Sequence, residues 1–186
     1  MSTARGPIIV LGIGNVLLRD DGVGVHLVRE IERLAAGADR VLPRDTTLVD
    51  GGTLGVDLLP HIAGARALLL LDAALVGGAP GDVAVLRGRA LRAPARLGVA
   101  RGIRPGGVDD LLAAARLADL LPAAVSLVGV EPGEIAAGLD LTTAVRAALP
   151  DALAAAIDEL WHLDRMAAES TPTQRGLGHV AAGSAA

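Results

Sequence analysis

The chain has 186 residues, 52% of them hydrophobic, and a formal net charge of −4 at pH 7, which predicts one domain with a substantial core. It has no cysteine, so disulfides, thiolate metal ligands and cysteine nucleophiles are excluded. The negative charge argues against general nucleic-acid binding, and the apolar runs are too short and too often broken to span a bilayer. Because no signal peptide is visible, we expect a cytoplasmic protein that engages neither membranes nor nucleic acid.

A strand, a tight turn and a helix open the predicted fold. An unbroken apolar run starts at Ile8 and ends at Gly12 and Gly14, which is typical of a buried strand followed by a turn. Apolar residues then recur at helical spacing, at Val23, Leu27, Ile31 and Leu34. The adjacent carboxylates of Asp20 and Asp21 lie between strand and helix, where open α/β sheets place their ligands.

The two glycines also match the start of a dinucleotide fingerprint, G-x-G-x-x-G. Its third position is Leu17 here, whose side chain would obstruct close packing of the helix on the strand. Two carboxylates at the N-terminus of a helix would repel a pyrophosphate, so the turn suits a cation better than a nucleotide. The alternative is a local role in which Asp20 caps the helix and Asp21 favours its first turn, stabilising it by about 0.5–2 kcal/mol.

A second strand is predicted at residues 46–49, followed by Asp50, two glycines and a helix at residues 54–63. Asp50 therefore lies at a second strand end. The alternative is that Asp50 is a turn residue whose side chain bonds to its own backbone.

The clearest strand signal runs from Arg66 to Ala74 and contains four consecutive leucines, so both faces of this strand are expected to be covered. Asp72 follows the leucines directly, and a carboxylate there is costly unless it is paired, hydrogen-bonded or bound to a metal. Parallel strands lie about 5 Å apart and end at the same edge of a sheet. Asp21, Asp50 and Asp72 are therefore expected to converge on a cation.

The next part of the chain predicts an edge strand and a basic loop. Residues 82–87 alternate like an antiparallel edge strand. Six arginines and no acid occur from residue 87 to residue 104, which indicates an exposed loop or a docking surface for an acidic partner.

The remaining pattern completes a layered α/β fold. It predicts a helix at 108–121, a strand at 124–130 and a helix at 141–163 that Pro150 should kink or break. We therefore predict a three-layer α/β sandwich, with a twisted, mainly parallel five-stranded sheet, an antiparallel edge strand and helices on both faces. This domain is expected to span residues 1–165, before a disordered tail at residues 166–186.

The histidines do not coincide with the predicted strand ends. They are His26, His61, His162 and His179. Each is therefore expected to be structural or solvated rather than a metal ligand.

Four segments of the chain carry a family resemblance. They are residues 10–26 (VLGIGNVLLRDDGVGVH), 48–59 (LVDGGTLGVDLL), 68–86 (LLLLDAALVGGAPGDVAVL) and 127–132 (LVGVEP). In order and in spacing they resemble the nickel-iron hydrogenase maturation proteases.

The resemblance implies a three-layer α/β fold and an endopeptidase that removes a short C-terminal extension from the hydrogenase large subunit after nickel insertion. It matches Asp21 and Asp72 to the family's metal-contacting acids and Asp50 to the aspartate of its Asp-Gly-Gly-Thr/Ser motif. The implied partner is the large-subunit precursor, and the implied metal is the nickel that this precursor carries. We expect a monomer with no nucleotide cofactor.

One family ligand has no counterpart in the sequence. The family's third metal ligand is a histidine before the helix that follows the edge strand, and residues 102–109 contain none. Imidazole suits nickel better than carboxylate does. Three explanations stay open: the substrate's nickel brings its other ligands, Asp109 or Asp110 supplies a replacement oxygen, or the chain is a relative that has lost peptidase activity.

The first explanation is our working hypothesis. Asp21, Asp72 and Asp50 form the candidate catalytic set of an aspartic-type endopeptidase, and Asp21 and Asp72 engage the nickel. The nucleophile is water, activated by a carboxylate or by the metal. The alternatives are a catalytically impaired relative that binds the precursor without cleaving it, and a nucleotide-binding oxidoreductase.

Overall fold

Five strands in the described part of the chain form one mixed sheet. The computed structural model describes residues 6–37, 40–88, 91 and 107–169. The strands are β1 (Ile8–Ile13), β2 (Thr46–Gly52), β3 (Ala67–Ala73), β4 (Val83–Arg87) and β5 (Ala124–Val130). Their order is β2-β1-β3-β5-β4, and every neighbouring pair is parallel except β4 with β5, which is antiparallel. The predicted mainly parallel sheet with an antiparallel edge strand is confirmed.

Helices cover both faces of this sheet. They are α1 (Val23–Gly37), α2 (Leu59–Ile62), α3 (Val108–Leu117) and α4 (Thr143–Glu169). Helices α1 and α4 pack on the face to which Leu69 and Leu71 of β3 point, while α2 and α3 pack on the face of Leu68 and Leu70. Because successive side chains of a strand point to opposite faces, the leucine run of β3 serves both cores. The predicted three-layer arrangement is therefore also confirmed.

The last helix is more regular than the sequence predicts. Helix α4 runs unbroken through Pro150, so the predicted interruption is wrong. Pro150 and Arg146, whose carbonyl loses its usual donor, are both exposed, so water can replace the missing hydrogen bond. Val145 before the proline and Ala152 and Ala156 after it are buried in the same core, so packing on both sides of Pro150 favours a continuous helix.

Three predicted boundaries also differ. The helix predicted at 54–63 is a 3₁₀ turn, Gly55–Leu58, followed by the single-turn helix α2. Helix α3 ends at Leu117 rather than at residue 121. Strand β2 continues past residue 49 to Gly52, so Asp50 is part of a strand and not of the following turn.

Two predictions fall mainly on residues outside the described ranges. Most of the arginine-rich stretch, at residues 89–90 and 92–106, lies there, as does the end of the chain from residue 170. The predicted limit of the domain at residue 165 stays a prediction, although α4 itself continues to Glu169. Within the described ranges, no helix has both the length and the apolar character needed to cross a bilayer.

A buried acid fastens α4 to the sheet. Glu159 is 1% exposed and accepts hydrogen bonds from Nε of Arg87 on β4 (2.8 Å) and from Oγ of Ser126 on β5 (2.6 Å). The Nη2 atom of Arg87 pairs with the other carboxylate oxygen. Burial by itself raises the pKa of Glu159, but the hydrogen bonds from Arg87 and Ser126 outweigh burial and lower this pKa.

We expect Glu159→Gln to lower the free energy of unfolding at neutral pH by about 1–3 kcal/mol, because the charge leaves a buried hydrogen-bonded group. Since the folded pKa of Glu159 is lowered, its contribution is complete above the ordinary glutamate value of about 4.3 and disappears as pH falls through the folded value. Urea unfolding of wild type and variant should therefore converge in acid. A difference that stays constant with pH would contradict this role, and Glu32→Gln on the exposed side of α1 is the control.

Candidate functional site

The carboxyl ends of β1, β2 and β3 lie at one edge of the sheet, because the three strands are parallel neighbours. Asp21 lies in the 3₁₀ turn Arg19–Gly22 between β1 and α1, and Asp72 lies near the end of β3. The turn that carries Asp21 contacts β3. The two acids predicted to contact metal therefore come from adjacent elements at this edge.

Two glycines let this turn and the start of α1 lie directly on the strand ends. Gly14 has a φ of +130°, and an added Cβ there would lie 1.8 Å from the carbonyl oxygen of Asp21. An added Cβ at Gly24 would lie 2.0 Å from the carbonyl oxygen of Leu71 and 2.4 Å from that of Ile13. Any side chain at these positions would push Asp21 away from the ends of β1 and β3.

The carboxylate of Asp21 is held from within its own loop. The residue is completely buried, and its Oδ2 accepts a hydrogen bond of 2.8 Å from the backbone N–H of Asn15. The side-chain oxygen of Asn15 in turn accepts a hydrogen bond from the backbone N–H of Leu17. These bonds fix the direction of the Asp21 carboxylate before any ligand binds.

Asp72 combines deep burial with an unused oxygen. It is 7% exposed, and its Oδ1 has no hydrogen-bond partner among the described residues. Burial raises the pKa of Asp72 well above its usual value, a hydrogen bond from the backbone of Ala73 opposes the rise, and the charge of Asp109 adds to it. A buried carboxylate oxygen without a donor is rare in folded proteins, and it marks Asp72 as a candidate ligand site.

Asp109 faces the same side of the sheet as Asp72. It lies in the first turn of α3, the helix that packs on this face, and it is half-buried. Burial raises the pKa of Asp109, and the charge of Asp110 raises it further, while Arg116 opposes both. Asp109 is thus an oxygen donor near Asp72, as one of the three explanations for the absent histidine requires. Residues 102–106 of the preceding loop lie outside the described ranges.

Asp50 points away from this group. In the sheet Asp50 is level with Gly12 and Leu71, and residues level with one another in parallel strands point to the same face. That face carries α1, where Arg29 donates to Oδ2 of Asp50 from Nη2 (2.8 Å) and from Nε (3.2 Å). Asp72 follows Leu71 and points to the opposite face. Because of this strand register, the carboxylate of Asp50 does not converge with that of Asp72, contrary to the expectation for three converging acids. The catalytic role of Asp50 stays a prediction.

Asp20 has a different role from the helix cap that the sequence indicated. Its buried carboxylate accepts hydrogen bonds from the backbone N–H groups of Gly133 (2.9 Å), Glu134 (3.0 Å) and Thr142 (2.7 Å), and from Oγ1 of Thr142 (2.8 Å). Burial raises the pKa of Asp20, but these bonds outweigh burial and lower it. Asp20 therefore binds the loop between β5 and α4 and leaves the start of α1 uncapped by its side chain.

Glu131 is a second buried acid whose structural role the sequence analysis missed. It follows β5 directly and is 8% exposed. Its Oε2 accepts hydrogen bonds from the backbone N–H groups of Val76 (2.6 Å) and Gly77 (2.9 Å), in the loop after β3. An acid at the exit of a buried strand was the pattern that singled out Asp72, and the same pattern would have found Glu131.

The described acids do not form a complete metal site. No group of three or more histidine, aspartate or glutamate side chains within the described ranges is arranged to hold a metal ion. The described histidines lie on helices: His26 on α1, His61 on α2 and His162 on α4. Burial lowers the pKa of His26, and the charges of Arg29 and Arg146 lower it further. A cation at Asp72 therefore needs ligands from beyond these residues.

We expect Asp72→Asn to stabilise the protein without substrate by about 1–3 kcal/mol at neutral pH, because it removes a buried charge whose Oδ1 lacks a donor. Since the folded pKa of Asp72 is raised, the stability of the wild type is highest below the ordinary aspartate value of about 3.9 and falls as pH rises through the folded value. Melting temperatures of both proteins across this range test the expectation. Equal melting temperatures at all pH values would show that Asp72 carries no such cost.

Comparison with known proteins shows which family the chain resembles. The family model described as hydrogenase maturation protease matches residues 25–159. The hydrogenase expression/formation protein HupD of Rhodobacter capsulatus is 37% identical over 155 residues, which cover 82% of this chain and 70% of that protein. The hydrogenase 2 maturation protease of Escherichia coli strain K12 is 34% identical over 147 residues, which cover 78% of this chain and 85% of that protein.

A solved structure shares the fold. The hydrogenase maturating endopeptidase HybD from Escherichia coli superposes with a TM-score of 0.68 at 32% identity, covering 84% of this chain and 93% of that one. The chain therefore belongs to the hydrogenase maturation protease family.

Proposed function

We propose that this chain is the endopeptidase that removes the C-terminal extension of a nickel-loaded hydrogenase large-subunit precursor. The observation that carries the proposal is Asp72, a buried carboxylate at the site edge whose Oδ1 has no donor among the described residues. The pre-oriented carboxylate of Asp21 comes from the adjacent loop, which contacts the strand of Asp72. Family membership supplies the reaction class, the hydrolysis of a peptide bond.

In this proposal Asp21 and Asp72 recognise the nickel of the precursor rather than hold a metal of their own. Two carboxylates are hard oxygen donors, and nickel prefers softer nitrogen or sulfur ligands, so they form a weak site in isolation. The precursor brings the metal with the rest of its coordination shell. The lack of a complete metal-binding group in the described ranges is consistent with this division of ligands.

The nucleophile is water, because the chain has neither a cysteine nor a serine-nucleophile motif of the G-x-S-x-G type. Activation of this water falls to a carboxylate or to the nickel of the substrate. Asp50 is the third candidate for a catalytic role, and its carboxylate is 41% exposed beside Arg29. Capture of the nickel by Asp21 and Asp72 positions the extension of the same precursor for hydrolysis.

Exposed apolar side chains surround the site and favour a protein substrate. They lie on loops that follow β1, β2 and β5, at Leu17, Leu54, Val56, Ile135 and Leu139. Leu17 and Leu139 lie on paired segments, because the N–H of Gly138 donates to the carbonyl of Leu17 (2.9 Å). Exposed apolar surface beside a polar site is typical of protein recognition.

The proposed function predicts that purified protein shortens the nickel-loaded precursor and leaves the nickel-free precursor intact, as measured by mass spectrometry. Asp21→Ala with Asp72→Ala should abolish the shortening, because both proposed nickel contacts are lost. The matched control is Asp158→Ala, an exposed acid in the second half of α4, which should cleave at the wild-type rate. Equal cleavage of both precursors, or full cleavage by the double variant, would overturn the proposal.

A second variant decides the role of Asp50. Because Asp50 and Asp72 lie on opposite faces of the sheet, Asp50→Asn should reduce the cleavage rate much less than Asp72→Ala does. Single-turnover cleavage of the nickel-loaded precursor measures both rates. A loss as large as that of Asp72→Ala would place Asp50 in the catalytic centre.

The same assay separates the alternative of a binding protein without peptidase activity. A binder forms a stable complex with the precursor whose mass stays unchanged, whereas the endopeptidase releases the extension. A nucleotide-binding oxidoreductase is disfavoured, because two buried aspartates occupy the turn before α1 where a pyrophosphate would lie.

A further inference from the structure

Asp20 and Glu131 are buried acids at the site edge that the proposed reaction does not use. Glu131 is the first residue of the segment 131–142, which joins β5 to α4 without a named helix or strand of its own, and Asp20 accepts hydrogen bonds from residues 133, 134 and 142 of this segment. We propose that Asp20 and Glu131 are positioning residues that act through this segment, called here the brace, to hold the carboxylate of Asp21 at a fixed position relative to that of Asp72. This inference rests on the proposed function and names the residues that keep its two nickel contacts together.

The first connection ties the brace to the loop of Asp21. Asp20 lies next to Asp21, is completely buried, and accepts four hydrogen bonds from the brace. Backbone hydrogen bonds run alongside: the N–H of Arg19 donates to the carbonyl of Gly138 (3.0 Å), and the N–H of Gly138 donates to the carbonyl of Leu17 (2.9 Å). The turn that carries Asp21 cannot shift without either moving the brace or breaking these bonds.

The second connection ties the brace to the loop that follows β3, the strand of Asp72. The carboxylate of Glu131 accepts hydrogen bonds from Val76 and Gly77, four and five residues after Asp72. The backbone of Glu131 holds the other end of the same loop: its carbonyl accepts from Gly81 and its N–H donates to the carbonyl of Asp82, each over 2.8 Å. The loop that follows Asp72 is thus fixed at both ends by one residue of the brace.

The two connections act in series. Glu131 belongs to the brace itself, and Asp20 binds the brace at residues 133, 134 and 142, so the path through the brace, which adds to the direct contact of the Asp21 turn with β3, passes through both acids. Removing either carboxylate weakens this path, and removing the second afterwards adds little more. Two residues that serve only local stability would instead contribute independently.

A double-mutant cycle in the full-length protein tests this proposal. We expect Asp20→Asn and Glu131→Ala each to reduce kcat for the nickel-loaded precursor by about 10- to 100-fold, the loss that follows from misplacement of about 1 Å, with KM changed less than about threefold. The double variant should lose no more than the worse single variant. Glu131→Gln, which keeps an oxygen acceptor, should restore most of the rate.

The matched control is Glu159→Gln, because Glu159 is an equally buried acid that fastens α4 to β4 and β5 and does not touch the brace. It should leave kcat within about twofold of wild type. In the double variant with Asp20→Asn, the fold-changes in kcat of the two substitutions should multiply. Thr142→Val removes only the hydroxyl donor to Asp20 and serves if Asp20→Asn does not fold. The proposal would be overturned if the reductions in kcat caused by Asp20→Asn and Glu131→Ala multiplied in the double variant, or if these substitutions changed KM alone.

A measurement without substrate separates this inference from the proposed function. Glu131→Ala should speed hydrogen exchange at the N–H of Asn15, which donates to Asp21. Glu159→Gln should leave that exchange unchanged. Unaltered exchange in Glu131→Ala would refute the coupling even if the wild type cleaves the precursor. If Glu131→Ala speeds this exchange but the wild type does not cleave the precursor, the role of the brace is supported and the proposed endopeptidase activity is rejected.

Discussion

The burial of a carboxylate at the exit of the central strand is the constraint on which this site depends. β3 is covered on both faces, so Asp72, which follows its leucines, is only 7% exposed, and one of its oxygens has no described donor. Such a group costs free energy in the isolated protein. In the proposed function this carboxylate gains a partner when the nickel of the precursor binds, which would offset that cost.

The other buried acids around the sheet show what is absent at Asp72. Asp20 has four donors, Glu131 has two close backbone donors and Glu159 has an arginine and a serine, so each contributes rigidity instead of ligand affinity. The hydrogen bonds that Asp20 and Glu131 accept connect the segment between β5 and α4 to two neighbours: the turn of Asp21 lies next to Asp20, and the loop after β3 donates to Glu131. The proposed two-carboxylate contact to nickel would benefit from such rigidity, because side chains that are already ordered lose little conformational entropy when the precursor binds.

Much of the architecture was predictable because it follows from local patterns. The apolar runs at β1, β3 and β5 located the buried strands, the alternation at β4 identified the antiparallel edge, and Asp21 and Asp72 were recognised as acids at the ends of predicted strands. Four sequence blocks were enough to indicate the family. Each of these signals comes from residues that are close together in sequence, and the spacing of the apolar residues reflects which side chains are buried.

The sequence by itself thus determined the layered α/β fold, the family and the two acids at the site edge. Tertiary structure alone decided the face of Asp50, which follows from the pairing of β2 with β1, and the partners of Asp20, which lie 113–122 residues further along the chain. It also decided that α4 continues through Pro150, because packing on both sides of the proline outweighs the local break. The physical reason is common to all three: a local pattern records whether a residue is buried, whereas strand register and hydrogen-bond partners depend on segments distant in sequence.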